Sequence, residues 1–376
     1  MNELPFSGLR VVGLEQAVAA PFCSRQLADL GADVIKVERP DGGDFARGYD
    51  DAMGGVSSYF ALLNRGKRSL ALDLKESAGR EALHRLLERA DIFVHNLAPG
   101  AVERLGFGYE ELAERNPRLI CCGISGYGPD GPYRDKRAYD ILIQAESGVV
   151  SLTGSAEAPA KVGVAIADIA SGLYAYSSIL AALYQRERTG RGERIDIAML
   201  ECLTEWVMPW IYMWRGTGQV PERSGMRHNM IVPYGAYRCG DGAVNISIQN
   251  EREWVRFCGQ VLDSPSLAER FPNNAARLAN RHEIERVIED HFATRSRGDI
   301  LQRLDAAEIA NGAVNGIPDV AAHPQLAARG RWVEVDSPAG RIPALLPPHN
   351  LLHAAAAMGA VPALGQHTDE ILKELG

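Results

Sequence analysis

The sequence predicts an α/β protein: a large domain with a parallel sheet covered by helices, and a smaller α+β domain inserted before the C-terminal segment. Three observations predict it. Short apolar runs alternate with helix-like segments through the first half of the chain, the pattern of strand–helix–strand units. The texture turns polar near residue 215. Beyond it, an Asp-Gly turn between two apolar runs signals a hairpin rather than another crossover.

The elements follow in order. Leu9 to Leu14 is a short apolar strand with two valines. A helix follows from about Pro21 to Leu30, with Pro21 suited to its first turn. Gly31 falls where a left-handed C-cap is expected. Val34 to Val37 is the second strand, and Glu38, Arg39 and the Pro-Asp-Gly-Gly run leave it as a turn-rich, charged loop. Leu70 to Leu74 reads as a strand, Ser77 to Ala90 as an amphipathic helix and Asp91 to Asn96 as a strand. Tyr109 to Arg115 is helical and Leu119 to Ile124 another strand. Ser171 to Arg186, apolar on most faces, reads as a buried helix, followed by a strand at Glu193 to Ala198 and an aromatic-rich helix at Leu200 to Trp214. Tyr234 to Ile248 is the hairpin, turning at Gly240-Asp241-Gly242. Helices are expected at 251–262, 282–293 and 298–307, and a last one at Thr368 to Leu375. The expected division is a large domain of residues 1–215 plus 326–376, a linker of 216–224, and a small domain of 225–325.

Composition bounds the function. The chain has 376 residues, enough for two domains with sizeable cores. A net charge of −8 leaves no basic surplus to displace counterions, which argues against a nucleic-acid partner. The six cysteines form no Cys-x-x-Cys pair and read as reduced thiols of a cytoplasmic protein. Adjacent Cys121 and Cys122 should point to opposite faces of their strand. The N-terminus lacks a signal-peptide pattern, and no run reads as long and apolar enough to span a membrane. The first strand is followed by Glu15-Gln16-Ala17-Val18-Ala19-Ala20-Pro21, without Gly-x-Gly-x-x-Gly, so no NAD site is expected. No cluster at metal-ligand spacing stands out.

The conspicuous chemical candidate is Asp168, in Gly163-Val-Ala-Ile-Ala-Asp168-Ile-Ala-Ser-Gly172, just ahead of a small-residue helix. Such an aspartate serves equally as an N-cap, or as an acid kept ionised by the helix dipole and able to attack an activated acyl group. The segment alone leaves both roles open.

A resemblance decides between them. The chain resembles the family III CoA-transferases (the CaiB/BaiF group), which include formyl-CoA transferase and carnitine CoA-transferase. The resembling blocks are Gly8-Leu-Arg-Val-Val; Gly31-Ala-Asp-Val-Ile-Lys-Val-Glu-Arg-Pro with Gly43-Asp44; and Asn64-Arg-Gly-Lys-Arg-Ser-Leu-Ala-Leu-Asp-Leu-Lys75. Asn96-Leu-Ala-Pro-Gly, Asn116-Pro-Arg, Gly126-Tyr-Gly-Pro-Asp-Gly-Pro, the Asp168 segment, Thr189-Gly-Arg-Gly and Leu364-Gly-Gln-His-Thr-Asp-Glu complete the set. The resemblance implies a Rossmann-like large domain, an interlocked homodimer, and catalysis by Asp168. It implies coenzyme A, carried as an acyl-CoA co-substrate, on Arg39, Leu72, Asp73, Lys75, Asn96, Leu97, Ala98, Arg104 and Arg137. Arginines suit the 3′-phosphate and pyrophosphate, because the guanidinium is a charged fork.

Within the superfamily, racemases carry His-Asp where this chain has Tyr139-Asp140. A tyrosine with a reference pKa near ~10 is a poor proton shuttle at neutral pH, so transfer is favoured over epimerisation. Two departures concern the acyl group. Val18 stands where formyl-CoA transferase has a glutamine, and Gly225-Met-Arg-His-Asn229 stands near its glycine-rich lid. Arg227 and His228 are therefore candidates to hold the second carboxylate of a dicarboxylic substrate such as succinyl-CoA. A racemase and a non-catalytic CoA-binding protein are the alternatives.

Overall fold

The computed structural model describes residues 4–220 and 222–376. Met1 to Glu3 of the expected large domain and Pro221 of the expected linker lie outside the described residues. The chain divides into two compact units. One comprises Met1–Val149, Val162–Pro209 and Leu326–Gly376; the other comprises Val150–Lys161 and Trp210–Gln325. Residues 150–161 thus group with the smaller unit, although no texture change in the sequence marks them.

The larger unit is built on six parallel strands: β1 (Arg10–Leu14), β2 (Asp33–Glu38), β3 (Lys67–Ala71), β4 (Ile92–His95), β5 (Ile120–Ser125) and β6 (Arg194–Ala198). Their order is β3-β2-β1-β4-β5-β6, that of a doubly wound sheet, with its switch point beside β1. The register runs Val11↔Val34 on one side of β1 and Val11↔Ile92 on the other. The helices are α1 (Ala19–Asp29), α2 (Ser58–Asn64), α3 (Ser77–Leu87), α4 (Ala101–Arg104), α5 (Tyr109–Arg115), α6 (Asp140–Glu146), α7 (Val149–Leu152), α8 (Ile166–Thr189) and α9 (Met199–Thr217). The division between units falls within α7 and again within α9.

Side chains alternate across the strands and feed two cores. Val11, Val34, Ile92 and Cys122 face α1 and α8. Val12, Ile35, Phe93 and Cys121 face the opposite way, with Leu83, Leu86 and Ile371. Cys121 and Cys122 therefore do point to opposite faces. All six cysteines are free, and burial raises the thiols of five. Gly31 takes φ +100° after α1, as expected of its C-cap position.

Gly172 has a different reason to be glycine. A Cβ there would lie 2.6 Å from the Ala19 carbonyl oxygen, so its absence lets α8 lie directly on the start of α1. The length of α8 corrects the membrane expectation on one point. α8 is long and apolar enough to cross a bilayer by length and composition. It is nevertheless a helix of this fold, packed on α1 and holding the buried Arg186, which hydrogen-bonds the Asp91 and Arg118 carbonyls.

The smaller unit carries an antiparallel sheet of β7 (Tyr234–Cys239), β8 (Gly242–Ser247) and β9 (Ala310–Ala313). The Cys239↔Gly242 pair closes the expected hairpin around Gly240-Asp241. Behind it, helices at 251–256, 281–293 and 297–306 bury Trp254, Phe257, Ile288 and Phe292. The C-terminal segment forms an unexpected hairpin, β10 (Trp332–Ser337) with β11 (Gly340–Leu345), before the predicted helix Thr368–Leu375.

Candidate active site

The carboxyl ends of β1, β2 and β3 and the loop after β4 enclose a cavity of about 340 Å³. Its lining includes Gln16, Arg39, Leu72, Asp73, Lys75 and Leu97. Ligands of doubly wound sheets bind in this position, beside the switch point. Arg39 and Lys75 are cations at its rim. Arg39 Nη2 donates to the Gly43 carbonyl at 3.2 Å, and the Lys75 N–H donates to Asp73 Oδ1 at 2.9 Å.

The other expected contacts fare differently. Asn96 does not line the cavity; its amide accepts from the Gln16 N–H at 2.9 Å and donates to the Gln16 carbonyl at 2.8 Å. It thereby fixes the loop that does. Ala98 and Arg104 lie on the turn and helix that follow, and only Leu105 beyond them reaches the cavity. Arg137 is exposed and outside the lining. Sequence reasoning misses Gln16 and Leu105, although a polar residue directly after β1 is a usable signal.

Beneath this cavity lies a cluster of charges that the sequence does not announce. Glu15, Lys36, Asp44 and Lys67 are fully buried. Lys67 Nζ bonds Glu15 Oε1 at 2.6 Å, and Lys36 Nζ bonds Asp44 Oδ2 at 2.8 Å. Burial and the neighbouring Lys36 charge outweigh the attraction of Glu15 and pull Lys67 down to about 8. Burial would raise Glu38, but its bonds to Arg47 and the charge of Lys36 hold it at about 2. Such a cluster survives burial only because every charge is paired. Asp44 also accepts from the Ala17 N–H at 3.0 Å and caps the short helical turn Phe45–Gly48 through the Ala46 N–H. One buried carboxylate thus joins the cavity loop to the turn that presents Tyr49.

Asp168 lies in the first turn of α8, which starts at Ile166 rather than at Ser171. It is therefore not the N-cap; that position is Ala165, whose side chain cannot cap. The role is taken by Asp140 of α6, whose Oδ1 accepts from the Ala167 N–H at 2.8 Å. The Asp168 carboxylate is partly buried and has no hydrogen-bond donor among the described residues. Burial first, and the negative charge of Asp140 second, push it up to about 7. The expectation that the helix dipole keeps it firmly ionised is corrected: desolvation and a like charge outweigh the dipole. Tyr49 is raised to about 12, by burial and by the surrounding Asp44, Asp168, Tyr139 and Tyr59. The Tyr49 ring meets Phe45 at 5.9 Å and Tyr59 at 5.8 Å. Tyr139 occupies the N-cap position of α6 without a capping side-chain bond and is 66% exposed. Val18 is buried at the start of α1. Asp168 is thus a partly dry carboxyl group that interacts electrostatically with Tyr49 and exists at neutral pH in both its protonated and its ionised form.

The lid candidates lie in the smaller unit. Arg227 Nη2 bonds Glu289 at 2.6 Å, its Nε lies 3.9 Å from Glu285, and the guanidinium sits 3.6 Å over the Tyr237 ring. Its charge is paired with these two glutamates. His228 stacks on Tyr234 at 5.0 Å, and its Nδ1 accepts from the Met230 N–H. Both line a separate open cavity of about 630 Å³ within that unit. Among the described residues, no group of three His, Cys, Asp or Glu is placed to hold a metal.

A cation-rimmed cavity at the switch point of a doubly wound sheet suits a phosphate-bearing ligand. Comparison with known proteins makes this specific. The chain belongs to CoA-transferase family III, whose pattern matches residues 6–368. It is an enzyme of the CoA-transferase class, with a CoA thioester as co-substrate. It is 34% identical to the succinate–glutarate CoA-transferase of Agrobacterium fabrum, over 99% of this chain and 96% of that protein. It is 35% identical to the succinyl-CoA:mesaconate CoA-transferase of Haloarcula hispanica, over 98% and 96%. A crystal structure of a CaiB/BaiF family protein from Brucella suis superposes with a TM-score of 0.89 at 36% identity, covering all of both chains.

Proposed function

We propose that the protein moves CoA from a dicarboxylic acyl-CoA, such as succinyl-CoA, to a second carboxylic acid through covalent intermediates on Asp168. The observation that carries the reading is the Asp168 carboxylate itself: partly dry, without a hydrogen-bond donor among the described residues and with a pKa of about 7. An unsolvated carboxylate is a better nucleophile than a hydrated one, and at neutral pH a large fraction of it is ionised. The donor class is supported by the relatives, CoA-transferases of succinate or succinyl-CoA with glutarate or mesaconate.

The steps balance in atoms and electrons. The Asp168 carboxylate attacks the thioester carbonyl; the C–S bond breaks, giving a mixed anhydride and CoA thiolate. The thiolate attacks the aspartyl carbonyl of that anhydride, releasing the donor acid and leaving an aspartyl-CoA thioester. The acceptor carboxylate attacks this thioester, forming a second anhydride and freeing thiolate again. Thiolate attack on its acyl carbonyl yields the new acyl-CoA and restores Asp168. Arg39 and Lys75 hold the phosphates of CoA in the β1–β3 cavity, with Leu72, Asp73 and Leu97 lining it and Asn96 fixing its loop. Substituting Asp168→Ala should abolish transfer in a folded protein; substantial turnover by a clean preparation rules out the assignment.

The working form is a homodimer. Its support is α8, less than half of whose most apolar stretch is buried within one chain, with Leu173 and Tyr184 of α8 and the neighbouring Trp206 of α9 exposed. Exposed apolar area of this kind marks an interaction surface.

A further inference from the structure

We propose that Gln144 is a positioning residue for the reaction, tying the segment that carries Asp168 to α6 and fixing where its carboxylate points. The inference rests on the reading of Asp168 as the nucleophile.

Gln144 is 0% exposed. A buried amide is costly unless its donors and acceptor are used. Its Oε1 accepts from the Val162 N–H at 2.8 Å, and its Nε2 donates to Asp140 Oδ2 at 2.7 Å, with the Val164 carbonyl at 3.5 Å. The partners leave no ambiguity in the amide: a backbone N–H requires the oxygen, and a carboxylate requires the nitrogen. Asp140 passes the link on through its other oxygen, which accepts from the Ala167 N–H. Asp140 and Gln144, one turn apart on α6, therefore grip both ends of the stretch 162–167 and satisfy a first-turn amide of α8 that Ala165 cannot.

The stretch needs this grip. Gly163 and Val164 are exposed, and Val164 keeps 54% of its surface in solvent, so apolar burial does little to fix them. Gln144 makes no hydrogen bond with Asp168 and does not line the cavity at β1–β3. Its loss should slow acyl transfer while leaving the KM for acyl-CoA unchanged. A displacement of reacting groups by about 1 Å costs on the order of a hundredfold, so a loss of about ten- to a hundredfold is expected.

The test is a swap that preserves shape. In Q144E, two carboxylates face each other and the donor to Asp140 is lost. In the double variant D140N/Q144E, the amide and the carboxylate exchange places. The new amide nitrogen at position 140 then donates to the new carboxylate at position 144. That carboxylate still accepts from the Val162 N–H, and the amide oxygen at position 140 still accepts from the Ala167 N–H. The rate of CoA adduct formation on the Asp168 peptide, taken on the alkaline plateau of its pH profile so that a shifted Asp168 pKa does not enter, the KM for succinyl-CoA and the thermal midpoint are measured for each. The expected result is a slow Q144E with unchanged KM, and recovery in the double variant. A folded Q144E at wild-type rate, or a folded double variant no faster than Q144E, overturns the proposal. Where Q144E does not fold, the double variant decides alone: activity supports the proposal, and inactivity or unfolding overturns it. Absence of any Asp168 adduct in the wild-type protein is a separate failure, that of the nucleophile assignment.

Discussion

Asp168 must attack as an anion, yet its surroundings favour the proton. Its folded-state pKa, about 7, is raised above its ordinary 3.8. Below the ordinary value both folded and unfolded states are protonated; as pH rises through about 7, the folded state gives up a proton that the unfolded chain has already lost. Stability therefore falls across that window while activity rises. Asp168→Asn should be more stable than wild type at pH 8, by at most about 4 kcal/mol at ~1.4 kcal/mol per pH unit, readable from denaturant titrations at pH 5 and 8. Equal stability of the two proteins at both pH values would contradict the shift. Asp140→Asn removes the like charge and should move the acid limb of the rate profile to lower pH; an unmoved limb would leave burial as the whole cause. Asp168 stood out in the sequence as an acid among small and apolar residues ahead of a helix, and its proposed role came from the family resemblance. Its proton affinity was not legible there, because its burial and the charge of Asp140 on another helix arise only in the fold.

At the level of elements, the strands of the large sheet were legible because they are short apolar runs separated by helical periodicity. The start of β3 lies three residues before the expected one for a definite reason. Lys67 and Arg68 fall outside the expected strand, but Lys67 is a strand residue whose charge is cancelled inside by Glu15. The same pairing makes it costly to remove. Lys67→Met should destabilise by about 3–5 kcal/mol, the range for stranding one partner of a buried ion pair; equilibrium unfolding with a loss below experimental error would show the cluster to be dispensable. β9 was invisible because Ala-Asn-Gly-Ala has no strand-forming residue, and β11 because Pro343 interrupts it, which only an edge strand tolerates. Gly172→Ala should cost about 1–3 kcal/mol through overpacking against the Ala19 carbonyl, as a drop in thermal midpoint; a neutral result would mean that α1 and α8 part without penalty.

For the molecule as a whole, the sheet order and the cavity at its switch point explain why a chain without a glycine-rich dinucleotide loop still keeps its ligand site at the carboxyl ends of the strands. In the proposed reading, the phosphates of CoA rest on the cations Arg39 and Lys75 rather than on a helix N-terminus. The exposed apolar side of α8, with Trp206 of α9 beside it, should be covered by a second copy, so sedimentation should find a dimer; a monomer at working concentrations would leave Leu173, Tyr184 and Trp206 unaccounted for. The sequence blocks made the family legible, but not the neutralised state of Arg227, since Glu285, Glu289 and Tyr237 meet it only in the fold. The central claim, covalent catalysis by Asp168, is tested most directly by peptide mass spectrometry after incubation with a panel of acyl-CoAs and a hydroxylamine quench. The account predicts a CoA or hydroxamate mass on the peptide containing Asp168, strongest with dicarboxylic donors. CoA binding without an adduct from any donor would contradict it.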